Sequence, residues 1–163
     1  MILASIDLGA VRARVEPTLP VRPIAVYVWV IVVLNGALWL KTAASGMGAE
    51  GTPEFLVGTG LPTNPVYVED LVFWLPLMAV AAWWLWRRLD RGYVVIGAML
   101  VMWFVESITV AVDQWMGHRA DPTSDVATLG GAYLFAALAV IGIAPLTAFF
   151  RHVRGGPWRP SPR

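Results

Sequence analysis

The sequence predicts an all-α, polytopic membrane protein built as a four-transmembrane-helix bundle. Three observations carry that expectation: a shortage of charge, four long apolar runs, and basic residues that gather on one side of those runs. Of the 163 residues, 58% are hydrophobic and 14% charged. A soluble domain carries about 25% charged residues because its surface must be wet, so much of this surface faces something other than water. The length suits one domain, and no composition shift marks a second.

A bilayer core about 30 Å thick is crossed by about 20 apolar helical residues. Four stretches meet that length, at about 23–41, 69–87, 92–115 and 126–150. Pro23 to Leu40 is uncharged and stops at Lys41. Leu71 to Trp86 lies between Glu69 and Asp70 on one side and Arg87 and Arg88 on the other. It is slightly short, which a thinner local bilayer or a start at Val66 accommodates. The third run is interrupted by Glu106, and the fourth, Val126 to Phe150, carries no charge. Backbone groups in lipid must bond within their own segment, so the runs are read as helices. Trp29, Trp39, Trp74, Trp83, Trp84, Trp86, Trp103 and Trp115 lie in or beside them, and those near the ends fit an interfacial aromatic belt.

Charge gives the bundle a direction. Arg12, Arg14, Arg22, Arg87, Arg88, Arg91, Arg151, Arg154, Arg159 and Arg163 fall on one side of a four-span protein, with only Lys41 and Arg119 opposite. Glu50, Glu54, Glu69, Asp70, Asp113, Asp121 and Asp125 are skewed the other way. The positive-inside rule places both termini in the cytoplasm. A three- or five-span arrangement would break this segregation. Basic residues at membrane ends point to anionic headgroups of the lipid bilayer, not to nucleic acid.

The segment before the first span is too mixed to cross a bilayer, and Ile2, Leu3, Ile6 and Leu8 suit the inner membrane surface or a partner. Thr42-Ala43-Ala44 resembles a signal-peptidase site, but the preceding apolar run exceeds the usual h-region of about 7–15 residues, so the span is expected to be uncleaved. The outer loop 42–68 begins small and glycine-rich and becomes apolar, FLVGTGLPTNPVY. It is read as an interfacial connector held by Phe55 and Tyr67, with a lid or re-entrant turn as the alternative. The turn RRLDRG is short enough to make spans two and three antiparallel neighbours. Ser124 or Asp125 suits the N-cap of span four. The tail 151–163 ends in GGPWRPSPR, a composition that favours disorder.

Glu106 is the first candidate for chemistry, because an acid inside a span costs about 2.5 kcal/mol or more and normally faces a bundle interior or a water-filled cavity. Thr109 and Asp113 follow at i+3 and i+7 on the same helical face. With Gln114 they form a polar stripe opening outward. Asn35 and Tyr133 are expected at similar depth as hydrogen-bond partners of Glu106, and Pro76 removes a backbone bond nearby, freeing the Val72 carbonyl. An outer polar pocket is therefore expected. Three readings of it stay open: a structural hydrogen bond that fixes packing, a proton, ion or small-ligand site, and a metal site. For a metal the ligands would be Asp113, His118 and Asp121, with Glu69, Asp70 or Glu106. Asp70 is expected to favour the start of span two, and His152 to meet headgroups or the end of span four.

The absence of cysteine excludes disulfides, a CxxC redox pair and thiolate metal sites. No nucleophile–base pair, phosphate loop or nucleotide motif is present, and no cofactor is indicated. The segment LPTNPVYVEDLVFWLP, Leu61 to Pro76, with the following basic turn ending in Gly92-Tyr93, resembles an uncharacterised group of four-helix membrane proteins of actinobacteria. Their TNPV(H/Y)VLDL…LP pattern is matched by Thr63, Asn64, Pro65, Val66, Val68, Asp70, Leu71, Leu75 and Pro76. Glu69 departs from its leucine, and Glu106 has no counterpart in it. The match covers about a fifth of the chain. The resemblance implies the fold and a bacterial plasma-membrane location, and brings no activity.

The function expected from these features is an accessory or small-ligand-binding subunit with an outward-facing polar pocket, non-enzymatic, joined to a membrane partner or to copies of itself. The alternatives are a proton- or ion-coupled transporter component using Glu106 and Asp113, and a metal-dependent membrane enzyme.

Overall fold

A computed structural model describes residues 6–47, 51–53, 56–57, 60–61, 63–124 and 126–153. Within them the regular structure is helical apart from one isolated β-bridge, with four helices long and apolar enough to cross a membrane. A short helix comes first: α1, Leu8–Arg14. The four long ones are α2, Val21–Gly46; α3, Pro65–Trp86; α4, Asp90–Ala120; and α5, Leu129–Arg151. Each of the four expected runs is one of these helices; the first and third extend beyond the expected run at both ends, the second begins four residues earlier, and the fourth begins three residues later, at Leu129.

Helix ends follow local chemistry. The Asp7 carboxylate accepts the Ala10 N–H at 2.9 Å and starts α1. The start of α3 is earlier than expected. Asn64 caps it by accepting the Val66 N–H at 3.0 Å, and Pro65 occupies the first turn, where its missing N–H costs nothing. Asp70 therefore lies inside the helix and does not begin it. α5 is capped by Thr128, whose hydroxyl accepts the Gly131 N–H at 3.0 Å. Ser124 instead closes the preceding turn, accepting the Val126 and Ala127 N–H groups, and Asp125 lies outside the described residues. The His152 ring ends α5, with Nδ1 2.6 Å from the Ala148 carbonyl.

Pro76 reshapes α3. Its ring nitrogen has no proton for the Val72 carbonyl and crowds it. The helix widens just upstream into a π-turn over Asp70–Trp74, in which the Leu75 N–H reaches the Asp70 carbonyl.

The connection from α3 to α4 is three residues long, with Arg88 at φ 55°. The closeness of the two backbones there requires Gly92, since a Cβ at that position would stand 2.5 Å from the Leu85 nitrogen and 2.7 Å from the Trp84 carbonyl carbon. α2 packs chiefly on α3, α3 on α4 and α4 on α5, while α2 and α5 touch only briefly.

The core is concentrated at the basic end. Ile24, Ala25 and Val28 of α2 meet Met78, Ala81, Ala82 and Leu85 of α3, with Tyr93, Ile96 and Leu100 of α4 and Phe149 of α5. The N-terminal segment closes this end. α1 lies on the start of α4, with Arg12 over the Tyr93 ring at 5.0 Å and 4.0 Å from Asp90. Val15 pairs with Val153, and the Glu16 N–H donates to the His152 carbonyl at 2.9 Å. The expected surface-lying segment is thus packed on the bundle from Ile6 onward; Ile2 and Leu3 lie outside the described residues. Toward the opposite end the helices bury little. α2 has no buried residue beyond Ile31, and Val33, Leu34, Leu38 and Leu40 are all exposed.

Candidate functional site

Glu106, Thr109 and Asp113 share one face of α4 as their spacing predicts, but that face is exposed and Gln114 does not join it. Gln114 and Gly117 take the side of α4 that meets the start of α5. Glu106, Thr109 and Asp113 take another side and are exposed. They stand among Val105, Val112 and Met116, each more than half exposed. The Thr109 hydroxyl donates to the Val105 carbonyl one turn back, at 3.0 Å, the usual way a hydroxyl is satisfied in an apolar medium. Among the described residues no side chain or backbone group bonds the carboxylates of Glu106 or Asp113. Among the described residues these side chains do not gather into a pocket.

Register explains why the expected partners do not meet. Phe149 lies over Gly97, Phe104 beside Gly142 and Gln114 against Gly131. This antiparallel alignment puts Tyr133 level with Val112 and Asp113, about seven residues or roughly 10 Å from the level of Glu106. Tyr133 is itself 72% exposed. Asn35 is half-buried, one position from Gly36, which packs toward Leu75 of α3. The buried polar spot inside the bundle pairs Tyr27, which the sequence reading passed over, with Trp103. The Tyr27 hydroxyl and the Trp103 indole nitrogen face each other without a well-formed hydrogen bond, and the hydroxyl sits where a Cβ on Gly142 would come within 3.3 Å.

Asp70 has a different task from the one its position suggested. Its carboxylate accepts the Trp39 indole N–H at 2.7 Å, and Trp39 stacks on Tyr67 with ring centroids 4.3 Å apart. Glu69 accepts the Trp74 indole N–H at 2.8 Å. With little core at this end, the Trp39 bond and stack hold α2 to α3, while the Glu69–Trp74 bond lies within α3. The π-turn begins at Asp70 and places the two successive carboxylates where each meets its own indole.

The connection from α4 to α5 is also structural. Gln114 Oε1 accepts the Thr128 N–H at 3.0 Å, across the turn. The Asp121 carboxylate accepts the Thr123 hydroxyl at 2.6 Å and the Thr123 N–H at 3.0 Å. The hydroxyl first, and then the N–H, hold its carboxyl below the usual carboxylate range. No three His, Asp or Glu side chains among the described residues stand together where an ion could be held. Asp113, His118 and Asp121 thus do not form a ligand set in this chain.

Comparison of the chain with protein-family models, curated proteins and solved structures returned no match. What the helices define on their own is a multi-pass membrane protein: four apolar helices whose exposed Val, Leu, Ile and Phe side chains suit a lipid bilayer.

Proposed function

We propose that this chain is an accessory subunit of a bacterial plasma-membrane complex, docking through the α4 stripe of Glu106, Thr109 and Asp113 onto a partner's transmembrane helix. The observation that carries the reading is the pair of unbonded carboxylates on an exposed helix face. An acid facing lipid costs about 2.5–3.5 kcal/mol at the centre of a span. A partner helix bearing Arg, Lys or a hydrogen-bond donor at that depth removes the cost. A second copy docking α4 on α4 would set acid against acid, so the complementary partner is a different chain.

The basic end, with Arg12, Arg22, Arg87, Arg88, Arg91 and Arg151, lies in the cytoplasm by the charge rule. The acid-rich end lies outside. The resemblance of Leu61–Pro76 to the actinobacterial group agrees with this location.

The test is extraction of the full chain from its native membrane in mild detergent. Wild type should migrate as a complex larger than the protomer. Glu106→Leu should release the protomer, and Glu106→Gln, which keeps a hydrogen-bonding side chain, should retain much of the complex. A wild-type chain that runs as an isolated protomer contradicts the reading. If Glu106→Gln keeps the complex but abolishes proton flux in proteoliposomes, the coupled-transporter alternative takes its place.

A further inference from the structure

At the basic end, two depressions lie side by side on the α2–α3 side and together form a groove. The first, about 520 Å³, is lined by Pro20, Val21, Arg22, Trp86, Arg87 and Arg88, among others. The second, about 340 Å³, is lined by Trp29, Trp83, Trp86 and Arg87. Trp86 and Arg87 belong to both, so the cationic mouth adjoins an aromatic depression. Arg22 and Trp29 are two turns apart on α2, about 10 Å along the helix, and the groove runs from membrane end toward membrane interior.

The mouth is cationic. Its lining holds three arginines and no acid, and among the described residues none of the three forms an ion pair; the pair that occurs there is Arg12 with Asp90. Stacking and one backbone bond position them. Arg22 lies over the Trp86 ring at 5.7 Å and Arg87 over the Trp83 ring at 5.6 Å. Arg88 donates to the Pro17 carbonyl at 3.2 Å, which leaves most of its N–H groups for another acceptor. α2 begins without a side-chain cap. Of its first N–H groups, those of Val21 and Ile24 bond to Leu19 and Pro20, Pro23 has none, and that of Arg22 has no acceptor among the described residues. The partial positive charge of the helix start adds to the arginines.

From this geometry we infer a specific site for an anionic phospholipid: its phosphodiester held by Arg22, Arg87 and the start of α2, and an acyl chain laid along Trp86, Trp83 and Trp29. The ligand is an amphiphile because the cationic end and the aromatic end are one groove. A soluble phosphate would use only the mouth. The site is separate from the α4 stripe and stands or falls independently of the docking reading.

Native mass spectrometry of the delipidated full chain tests it, with phosphatidylglycerol, phosphatidylcholine and inorganic phosphate as probes. One phosphatidylglycerol should be retained in preference to phosphatidylcholine, and inorganic phosphate should not compete it off. Arg22→Gln with Arg87→Gln should weaken retention by roughly tenfold or more. Arg91→Gln, a basic residue at the same membrane end but outside the groove, should not. Trp83→Ala should weaken phosphatidylglycerol without changing the charge at all. Equal retention of phosphatidylcholine overturns the site. So does an Arg91→Gln effect as large as the double variant's, which would mean diffuse attraction, and so does competition by inorganic phosphate, which would mean a soluble-anion site. The wild-type lipid comparison decides the matter even if a variant fails to fold.

Discussion

At the scale of single residues, the unbonded carboxylate of Glu106 and the bonded one of Asp121 make opposite predictions. Glu106 touches no hydrogen-bond partner in this chain, so Glu106→Leu should change the stability of the isolated protomer in detergent by no more than about 0.5 kcal/mol, or raise it. A buried, bonded acid would cost about 1–3 kcal/mol on the same change. A thermal-melt loss of that size in the protomer would show that Glu106 serves this chain's own packing. Asp121 is held low by Thr123, so its carboxylate helps fix the α4–α5 turn at neutral pH. Because the folded value is depressed, that contribution is present above the ordinary Asp pKa of about 3.9 and fades as pH falls through the folded value. Carboxyl-carbon NMR should show Asp121 titrating below the ordinary range. Thr123→Val should move it upward, and an unmoved midpoint would show the hydroxyl to be a bystander.

Residue spacing in the sequence made the Glu106–Thr109–Asp113 face legible, because i+3 and i+7 positions share a side of any helix. It could not say which way the face points. That depends on which side of α4 the glycines select: Gly97 admits the Phe149 ring and Gly117 the Ala127 side chain, so α5 settles there and the acids are left outside. Counting from span ends also misjudged Tyr133. α5 starts at Leu129, set by Thr128, and the glycine contacts fix a register no span prediction contains.

At the scale of elements, the four long helices were readable because lipid imposes one simple demand, about 20 apolar residues with internally satisfied backbone. Their ends were less so. A cap such as Asn64 or Thr128 is one polar residue among several candidates in each loop, and the choice rests on backbone geometry. The bond from Trp39 to Asp70 joins helices 31 positions apart in sequence, and nothing local announces it. It is testable: Trp39→Phe keeps the ring stack on Tyr67 but removes the N–H, and should lower stability by about 1.5–3 kcal/mol, the range for a hydrogen bond to a charged group. Hydrogen exchange should then rise at the start of α3 and not in the basic-end core. At the α3–α4 turn, Gly92→Ala drives a methyl into backbone that has no rotamer to yield. A loss of about 3 kcal/mol, the upper end for overpacking, is expected in a melting experiment; a neutral result would mean that the two helices meet less closely than described.

At the scale of the whole molecule, packing and charge divide the bundle in the same way. The basic end holds the core, the α1 contacts, the Val15–Val153 pairing and the lipid groove. The other end holds exposed valines and leucines, two unbonded acids and the Trp39–Asp70 bond that ties α2 to α3. Among the described residues one end is closed by packing within the chain, and the proposed docking face lies toward the other. The most direct measurement of that claim is photo-crosslinking in native membranes, with the reactive group placed at Thr109 on the stripe or at Ile143 on the exposed face of α5. The account predicts a discrete protein adduct from Thr109 that is lost with Glu106→Leu, maps to a partner helix carrying a basic or donor side chain, and is absent from Ile143. Lipid adducts alone from both positions, or a protein adduct indifferent to Glu106→Leu, would contradict it.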